Sequence, residues 1–514
     1  MAIIDLTISP NLLKRLGFPG KDDQAKQVLV LKKLLTKARF TEFGQYYRFD
    51  EILQHENIIN QFQQTVPVFN YSSLYSKWWH KTLDGVPDVC WPGKIKYFAL
   101  SSGTSEAASK YIPITTDLLR GNRNIMVQQL LSLRNYENID ISSIGRGWLM
   151  LGGSTALEKN AGYYSGDLSG ITAKKVPFWF QPFYKPGRQI AKEKDWNKKL
   201  NDIVEKAPDW DISFLTGVPA WIQMCLEMVI EKHHLKNIHE IWPNLSFFVH
   251  GGVSFEPYKM GFEKLLARPL TYVETYLASE GFLAYQDRQY SNAMHLSTHP
   301  HIFFEFVPFD ENNFDSDGEI IANPTVLSLG EIEEGKDYAI LISTVAGAWR
   351  YLIGDTVKFT NKLLSEIVIT GRTKHFLSLV GEHLSVDNMN KAIQYVSEKF
   401  NVSIPEFTVA GLSKQNQFIH QWYIACDAEN LDEQLLVALD EELKRINDDY
   451  TTERMHALKN VVLTRLPEDV FTAFMESKNK VGGQHKFPRV MKGAMLEDWL
   501  EFIGNRGFKN QSII

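Results

Sequence analysis

An α/β fold with more than one domain is what this sequence predicts, and three observations predict it. Short apolar and aromatic runs of strand character alternate with amphipathic helical runs along most of the chain. Between about Tyr272 and Ile369 the strand-like runs succeed one another and form a more purely β stretch. The chain has 514 residues, well beyond one domain of roughly 100–200 residues.

The elements follow in order. Residues 22–38 carry Val28, Leu31, Leu34 and Leu35 at helical spacing. Lys94 to Leu100 reads as a strand that runs into a Gly/Ser/Thr turn, and Leu149–Leu151 and Ser246–Val249 read as further strands. Ala220–Lys232 and Pro257–Leu266 read as helices. Tyr272–Tyr276, Ile302–Phe306, Ala339–Ser343 and Glu366–Ile369 make up the β stretch. Beyond it, Phe418–Ala425 and Val461–Thr464 are strands and Asp469–Lys478 is a short helix. Leu431–Ile446 is an amphipathic helix with Leu435, Leu439, Leu443 and Ile446 on one face. This last strand–helix–strand unit is large enough to fold by itself, and the boundary falls near Gly371–Arg372.

Composition narrows the function classes. With 44% hydrophobic and 23% charged residues, the chain is neither disordered nor fibrous. Lys plus Arg number 55 against 61 Asp plus Glu, a net charge of −6. That balance gives no global reason to bind nucleic acid, and no helix-turn-helix signal is present. Cys90, Cys225 and Cys426 lie far apart and form neither a disulfide framework nor a zinc pattern. Cys225 sits in an apolar helical run and reads as core. The apolar stretch Phe214–Ile230 is broken by Gly217, Pro219, Gln223 and Glu227, whereas a membrane span needs about 20 mostly apolar residues. The N-terminus lacks a basic segment followed by an apolar core. The expectation is a soluble cytoplasmic protein with no nucleic-acid or membrane partner.

Six segments carry chemistry. Ser101-Ser102-Gly103-Thr104-Ser105, on a turn after a strand, offers hydroxyl and backbone donors to phosphate oxygens, without Walker spacing. His250-Gly251-Gly252 lets a flat ligand approach a strand end closely. In Tyr276-Leu277-Ala278-Ser279-Glu280-Gly281, an aromatic suited to stacking on a base precedes a carboxylate suited to Mg²⁺. Asp355, after Gly354 in Tyr351-Leu352-Ile353-Gly354-Asp355, can accept from two neighbouring ribose hydroxyls. Gly371-Arg372-Thr373-Lys374 places cations at a hinge, followed by Gly381-Glu382-His383-Leu384-Ser385. Gly482-Gly483-Gln484-His485-Lys486-Phe487-Pro488-Arg489 puts a lysine on a glycine loop that can swing into a site. Each segment alone is equally an ordinary turn, surface loop or solvated group.

Their order and spacing together carry more. With Thr41-Glu42-Phe43-Gly44, Trp91-Pro92-Gly93, Lys110-Tyr111-Ile112-Pro113 and Phe304-Glu305-Phe306, the chain resembles the adenylate-forming enzymes. It most resembles the auxin-responsive-promoter (Gretchen Hagen) family of acyl acid amido synthetases, nearer its shorter bacterial-type members, over nearly its whole length. The resemblance implies the adenylate-forming fold. A large N-terminal domain (1–371) would combine β-sheets, flanking helices and a β-barrel-like part, and bind ATP and the acyl substrate. A small mobile α+β C-terminal domain (372–514) would follow.

The resemblance also implies roles. Ser101, Ser102, Gly103, Thr104 and Ser105 would cradle the ATP phosphates, with Ser279 also at the nucleotide. Gly251 and Gly252 would line the adenine, Tyr276 would pack on it, and Glu280 would hold Mg²⁺ as a catalytic residue. Asp355 would bind the ribose, Arg372 would contact the nucleotide at the hinge, and Lys486 would be the catalytic lysine of adenylation. The implied reaction activates a carboxylic acid with ATP as an acyl adenylate, then transfers it to an amine such as an amino acid, releasing AMP and pyrophosphate. Transfer to a thiol such as coenzyme A, or a nucleotide-binding regulatory protein without catalysis, are the other readings. Two departures bear on them: Glu106-Ala107-Ala108 replaces glycine after the phosphate turn, and His383 stands where relatives often carry Lys.

Other residues read as structural. His295 and His299 are four apart, but Pro300 opposes a helix there and neither Cys nor an HExxH pattern joins them, which speaks against zinc. His233, His234 and His239 read as solvated or capping. Phe178, Trp179, Phe180, Phe183 and Tyr184 read as core or interdomain packing.

Overall fold

Three β-sheets organise the chain among the residues that the computed structural model describes. Those residues are 23–101, 110–137, 145–160, 162–252, 255–289, 291–298, 301–315, 318–373, 377, 384–414, 417–426, 431–447, 450–451, 454, 458, 460–478 and 487–508.

The strands, in chain order, begin with β1 (Tyr97–Ser101), β2 (Lys110–Ile114), β3 (Gly147–Met150), β4 (Glu158–Lys159), β5 (Tyr164–Gly166), β6 (Tyr184–Lys185) and β7 (Ile212–Gly217). Then come β8 (Phe247–Gly251), β9 (Thr271–Ala278), β10 (Gly281–Tyr285), β11 (Met294–Leu296), β12 (Ile302–Pro308) and β13 (Leu327–Ser328). The rest are β14 (Asp337–Thr344), β15 (Tyr351–Asn361), β16 (Glu366–Arg372), β17 (Phe407–Lys414), β18 (Gln417–Ala425), β19 (Asn460–Leu466) and β20 (Val490–Met491). The longer helices are α1 (Asp23–Ala38), α2 (Ile58–Thr65), α3 (Thr116–Ser132), α4 (Trp196–Lys206) and α5 (Pro219–Lys232). They continue with α6 (Glu256–Glu263), α7 (Val386–Phe400), α8 (Asp432–Ile446), α9 (Glu468–Ser477) and α10 (Gly493–Asn505).

The large sheet runs β13-β12-β14-β15-β16-β11-β10-β9-β8-β7-β3-β6. From β6 to β9 its neighbours are parallel. From β9 to β13 they are antiparallel. β9 is therefore the strand at which the sheet changes character.

The parallel half is covered on both faces, as its continuous apolar runs require. On one face Leu149, Leu215 and Phe248 pack against α4, α5 and α6, through Leu200, Ile203, Leu226 and Phe262. On the other, Trp148, Phe214, Phe247 and Val273 meet Leu130 and Leu133 beside α3. Three of those rings stack across adjacent strands, with centroids 4.2 Å apart for Trp148–Phe214 and 4.3 Å for Phe214–Phe247. Parallel register brings these residues level. Cys225 lies fully buried in this core, and burial pushes its thiol up to about 12, so it stays protonated packing material.

The antiparallel half buries its interior against α1 and α2. α1 offers Val30, Leu31, Leu34, Leu35 and Ala38 on one stripe, the helical period made physical. A buried ion pair joins the two layers. Arg350 Nε lies 3.1 Å from both oxygens of Glu305 on β12. Its Nη1 donates to the carbonyls of Gln63 (2.8 Å) and Val66 (2.6 Å) at the end of α2. There the guanidinium satisfies carbonyls that a helix end leaves without partners. Glu305 and Arg350 are 0% and 3% exposed.

The third sheet, β19-β18-β17-β20, has its own two cores. α7 and α8 cover one face through Ile393, Leu435, Leu439 and Leu443. α9 and α10 cover the other through Phe471, Phe474 and Trp499. α7 starts on a capping box between Ser385 and Asn388 and ends at Asn401, whose φ is 52°.

Two readings from sequence need correction. Phe178 and Trp179 are 86% and 63% exposed. They sit on a single 3₁₀ turn, Phe178–Phe180, which presents one side chain inward: Phe180 packs on Trp148 at 5.2 Å. His239 is buried, its Nε2 near the carbonyl of Leu245 at 3.2 Å and its Nδ1 accepting from the amide of Ala267 at 3.1 Å. It ties a turn together internally. His295 lies in β11, its Nδ1 2.8 Å from the Leu364 carbonyl, and His299 lies outside the described residues. Among the described residues no group of three His, Cys, Asp or Glu is placed to hold a metal, and no helix is long and apolar enough to cross a membrane.

Replacing Arg350 by Ala leaves the Glu305 charge buried without its partner. Loss of one member of a buried pair costs about 3–5 kcal/mol. Urea unfolding of Arg350→Ala is expected to show a loss in that range, and a change below about 1 kcal/mol would contradict the role given to the pair.

Candidate active site

The site grows from the pairing of β15 with β16. Register sets Asp355 opposite Arg372. Gly354 before Asp355 has φ 90° and Gly371 before Arg372 has φ 154°, backbone conformations that favour glycine. Arg372 Nε donates to Asp355 Oδ1 at 2.7 Å, and the Tyr276 hydroxyl donates to Asp355 Oδ2 at 2.5 Å. A carboxylate offers about four acceptor positions, so these two bonds fix its plane without exhausting its capacity.

The Tyr276 bond says something about the sheet. Tyr276 is on β9 and Asp355 on β15, with β10, β11 and β16 between them. Four inter-strand steps of about 4.8 Å would separate them by roughly 19 Å in a flat sheet. Direct contact requires the antiparallel half to curl strongly on itself, and the interior so formed holds Tyr276, Leu283, Met294, Leu296, Val357 and Ile367 in one core.

β9 turns into β10 through Ser279 and Glu280, with Ala278 paired to Gly281. A hairpin tip usually faces water, yet Glu280 is only 7% exposed. Burial raises its carboxyl above the ordinary range, Asp355 adds to that, and Lys110 and Arg372 oppose it. Tyr351, buried at the start of β15, lies beside the Glu280 carboxylate, and burial and that charge push its phenol well up. Burial and the Asp355 charge do the same for Tyr276. Arg372 is held more firmly protonated by Asp355. Two carboxylates, two cations and two phenols thus meet where the sheet changes from parallel to antiparallel. They lie beyond the carboxyl ends of the parallel strands β8 and β9, the end of an open α/β sheet at which ligands bind.

β8 ends beside them. A Cβ on Gly251 would lie 2.2 Å from the Thr275 carbonyl oxygen, so only glycine allows β8 and β9 this close. Gly252 follows with φ 87°. Thr275 Oγ1 donates to the His250 carbonyl at 2.8 Å. His250 is buried against Phe255 and Phe248, with ring centroids 4.7 and 5.3 Å away, and burial lowers its imidazole to about 3. It is therefore a neutral packing group at physiological pH.

The structure brings Tyr276, Glu280, Asp355 and Arg372 together, with Ser279 on the same hairpin turn and Gly251 and Gly252 on the adjoining strand end. Ser101 closes β1 and pairs with Lys110 of β2. Ser102, Gly103, Thr104, Ser105, Glu106, Ala107 and Ala108, together with His383 and Lys486, lie outside the described residues. Tyr351 and Lys110 were given no role by sequence reasoning. The pairing of β15 with β14 is irregular between Leu352 and Thr356, so the strand's alternation gave no reliable signal for Tyr351.

The GH3 family N-terminal domain matches residues 19–202, its central domain 296–366 and its C-terminal domain 387–494, more than half of the chain together. The indole-3-acetic acid-amido synthetase GH3.4 of Arabidopsis thaliana is 30% identical over 97 residues, 18% of this chain and 16% of that protein. Indole-3-acetic acid-amido synthetase GH3.10 of the same plant is 23% identical over 236 residues, 41% of this chain and 38% of that protein. These curated relatives are thus matched over well under half of their own length. Among solved structures, the GH3.15 acyl acid amido synthetase superposes with a TM-score of 0.76 at 17% identity, covering 96% of this chain and 95% of that one. A 2-hydroxyisobutyryl-CoA ligase in the postadenylation state superposes at 0.56 with 12% identity, covering 96% and 94%. The fold is that of the adenylate-forming enzymes.

His250 supplies a test of the buried strand end. In the unfolded chain its imidazole titrates near the ordinary 6.5, while in the folded chain it does so only near 3. The unfolded state therefore binds the proton first as pH falls, and stability drops below about pH 6.5 by up to about 1.4 kcal/mol per pH unit from this group. Urea unfolding of wild type and His250→Leu from pH 7.5 to 4.5 is expected to show that slope in their difference. Parallel curves would contradict the burial.

Proposed function

The chain belongs to the GH3 family, and from that premise we propose that it is an AMP-forming, ATP-dependent ligase that activates a carboxylic acid and passes the acyl group to an amine, an amino acid being the class favoured. The observation that carries this reading is the Tyr276–Asp355–Arg372 cluster beside buried Glu280. An aromatic ring, a carboxylate that its neighbours hold in one plane, and a cation are what a nucleoside phosphate needs from a binding wall.

In this reading Asp355 accepts the ribose hydroxyls, Tyr276 packs on the adenine, and Gly251 and Gly252 leave room along it. Ser101, Ser102, Gly103, Thr104 and Ser105 donate to the phosphates, with Ser279 at the mouth of the same site. Arg372 contacts the nucleotide where the chain passes from an N-terminal body, 1–371, to a C-terminal body, 372–514. Glu280 is a fit for Mg²⁺. It is a single buried hard ligand, and Mg²⁺ is usually held by one or two carboxylates together with substrate phosphates, in keeping with the absence of a three-residue cluster among the described residues. Bound there, Mg²⁺ would offset phosphate charge.

A carboxylate is a poor electrophile because its leaving group would be oxide. Attack of a carboxylate oxygen on the α-phosphorus of ATP breaks the bond to the β-phosphate bridge. It yields an acyl adenylate and pyrophosphate. Lys486 would neutralise charge developing in that in-line displacement. An amine then attacks the acyl carbonyl and AMP leaves, with no covalent enzyme intermediate.

Pyrophosphate release from ATP and Mg²⁺ with a panel of aryl and alkyl carboxylic acids tests the reading. It is expected to depend on the acid and to fall at least tenfold in Lys486→Ala, about 1.4 kcal/mol of barrier. Asp355→Ala is expected to raise KM for ATP at least tenfold. Amino acids and coenzyme A, added separately, identify the acceptor. ATP binding without acid-dependent release from any acid would speak instead for a regulatory nucleotide-binding protein.

A further inference from the structure

We propose that Tyr258, Glu406 and Arg489 form a polar latch that holds the C-terminal body against the N-terminal one, across a seam where carboxylates of the two bodies also come together. The proposal rests on the two-body reading above, and not on the chemistry assigned to the nucleotide site.

The contacts are specific. The Tyr258 hydroxyl, on α6 of the N-terminal body, donates to Glu406 Oε1 at 2.6 Å. Arg489 Nη1 donates to Glu406 Oε2 at 2.6 Å and to the Phe407 carbonyl at 3.0 Å. Arg489 Nη2 lies 3.3 Å from the Tyr258 hydroxyl, and the guanidinium sits 4.4 Å over the Phe407 ring. Glu406 and Arg489 immediately precede β17 and β20, which are neighbours in the third sheet. One tyrosine of the N-terminal body therefore engages the ends of two strands of the other. The side chains of Arg489 and Glu406 are 11% and 15% exposed and Tyr258 is buried. Charge-assisted bonds shielded this far from water are strong and geometrically exacting.

The surroundings differ in sign. Glu256 on α6 accepts from Gln394 of α7 at 3.1 Å, a further polar bond between the two bodies. Glu274 on β9 is pushed up to about 7 by burial and by the charge of Glu256. Glu227 on α5 and Glu406 both act on Glu468, the first residue of α9. Glu227 and Glu468 thus bring carboxylates of the two bodies together, and the Arg489 guanidinium is bound to a third, Glu406. The hold across this seam depends on Arg489 and Tyr258 keeping Glu406. An apolar seam of the same area would have no such dependence on three side chains.

Hydrogen exchange on the full-length protein tests this. Tyr258→Phe keeps the buried ring and removes the hydroxyl; Arg489→Lys keeps the charge and removes the fork. Both variants are expected to exchange at least fivefold faster in Glu256–Glu263 and Val386–Phe400. The strands Ile212–Gly217 and Gln417–Ala425, one inside each body, are expected to keep wild-type rates. Unchanged exchange in the two helices would overturn the proposal. A uniform rise in helices and strands alike would also overturn it, because the contacts would then support the fold of a body and not the seam.

Discussion

The nucleotide site proposed for this protein depends on one carboxylate. Asp355 is gripped from opposite sides by the hydroxyl of Tyr276 and the guanidinium of Arg372. The grip requires the antiparallel half of the large sheet to curl until β9 and β15 meet. It requires the two glycines, at 354 and 371, that let β15 and β16 present Asp355 and Arg372 to each other. It also brings buried Glu280 and Tyr351 to the same point. Chain geometry and electrostatics are thus one constraint here: the curl brings β9 to β15, and the opposed charges hold that contact in place.

The remaining framework keeps that point stationary. The stacked rings of Trp148, Phe214 and Phe247 stiffen the parallel strands whose ends border the site. Glu305 and Arg350 lock the N-terminal helices onto the antiparallel strands, and Arg350 lies one residue before Tyr351. The backbone amide of Leu352 is held in turn by the carbonyl of Phe69, at 2.7 Å. The segment from Arg350 to Asp355 is therefore fixed at its start by a buried ion pair and at its end by the Tyr276–Arg372 grip.

Much of this was legible in the sequence, for identifiable reasons. Helices with a clean apolar stripe, such as Asp23–Ala38 and Asp432–Ile446, emerged within a residue or two because their period reports burial directly. Several strands emerged as shorter than they are, whereas Lys94–Leu100 is a strand only from Tyr97. Glu366–Ile369 continues to Arg372, since the pairing with β15 shifts register after Ile369 and resumes at Gly371. Tyr276, Glu280, Asp355 and Arg372 were legible as separate turns and strand ends. That Tyr276 touches Asp355 was not, because the contact depends on how far a sheet curls over four steps. The exposure of Phe178 and Trp179 was hidden for the opposite reason: aromatic content alone does not tell which side of a one-turn helix faces in. The seam between the bodies was silent as well, since Tyr258, Glu406 and Arg489 lie in three unconnected segments with no shared motif.

The central claim is that an acid oxygen attacks the α-phosphorus of ATP. Position-specific labelling tests it most directly. The enzyme would be turned over with a carboxylic acid carrying ¹⁸O in both carboxyl positions, in unlabelled water, and the released AMP examined by mass spectrometry. One ¹⁸O in the phosphate of AMP, with pyrophosphate unlabelled, is the result the account predicts, because the bridging oxygen of the adenylate stays with phosphorus when the amine attacks carbon. Label in inorganic phosphate with ADP as the nucleotide product would place the attack at the γ-phosphorus and contradict it.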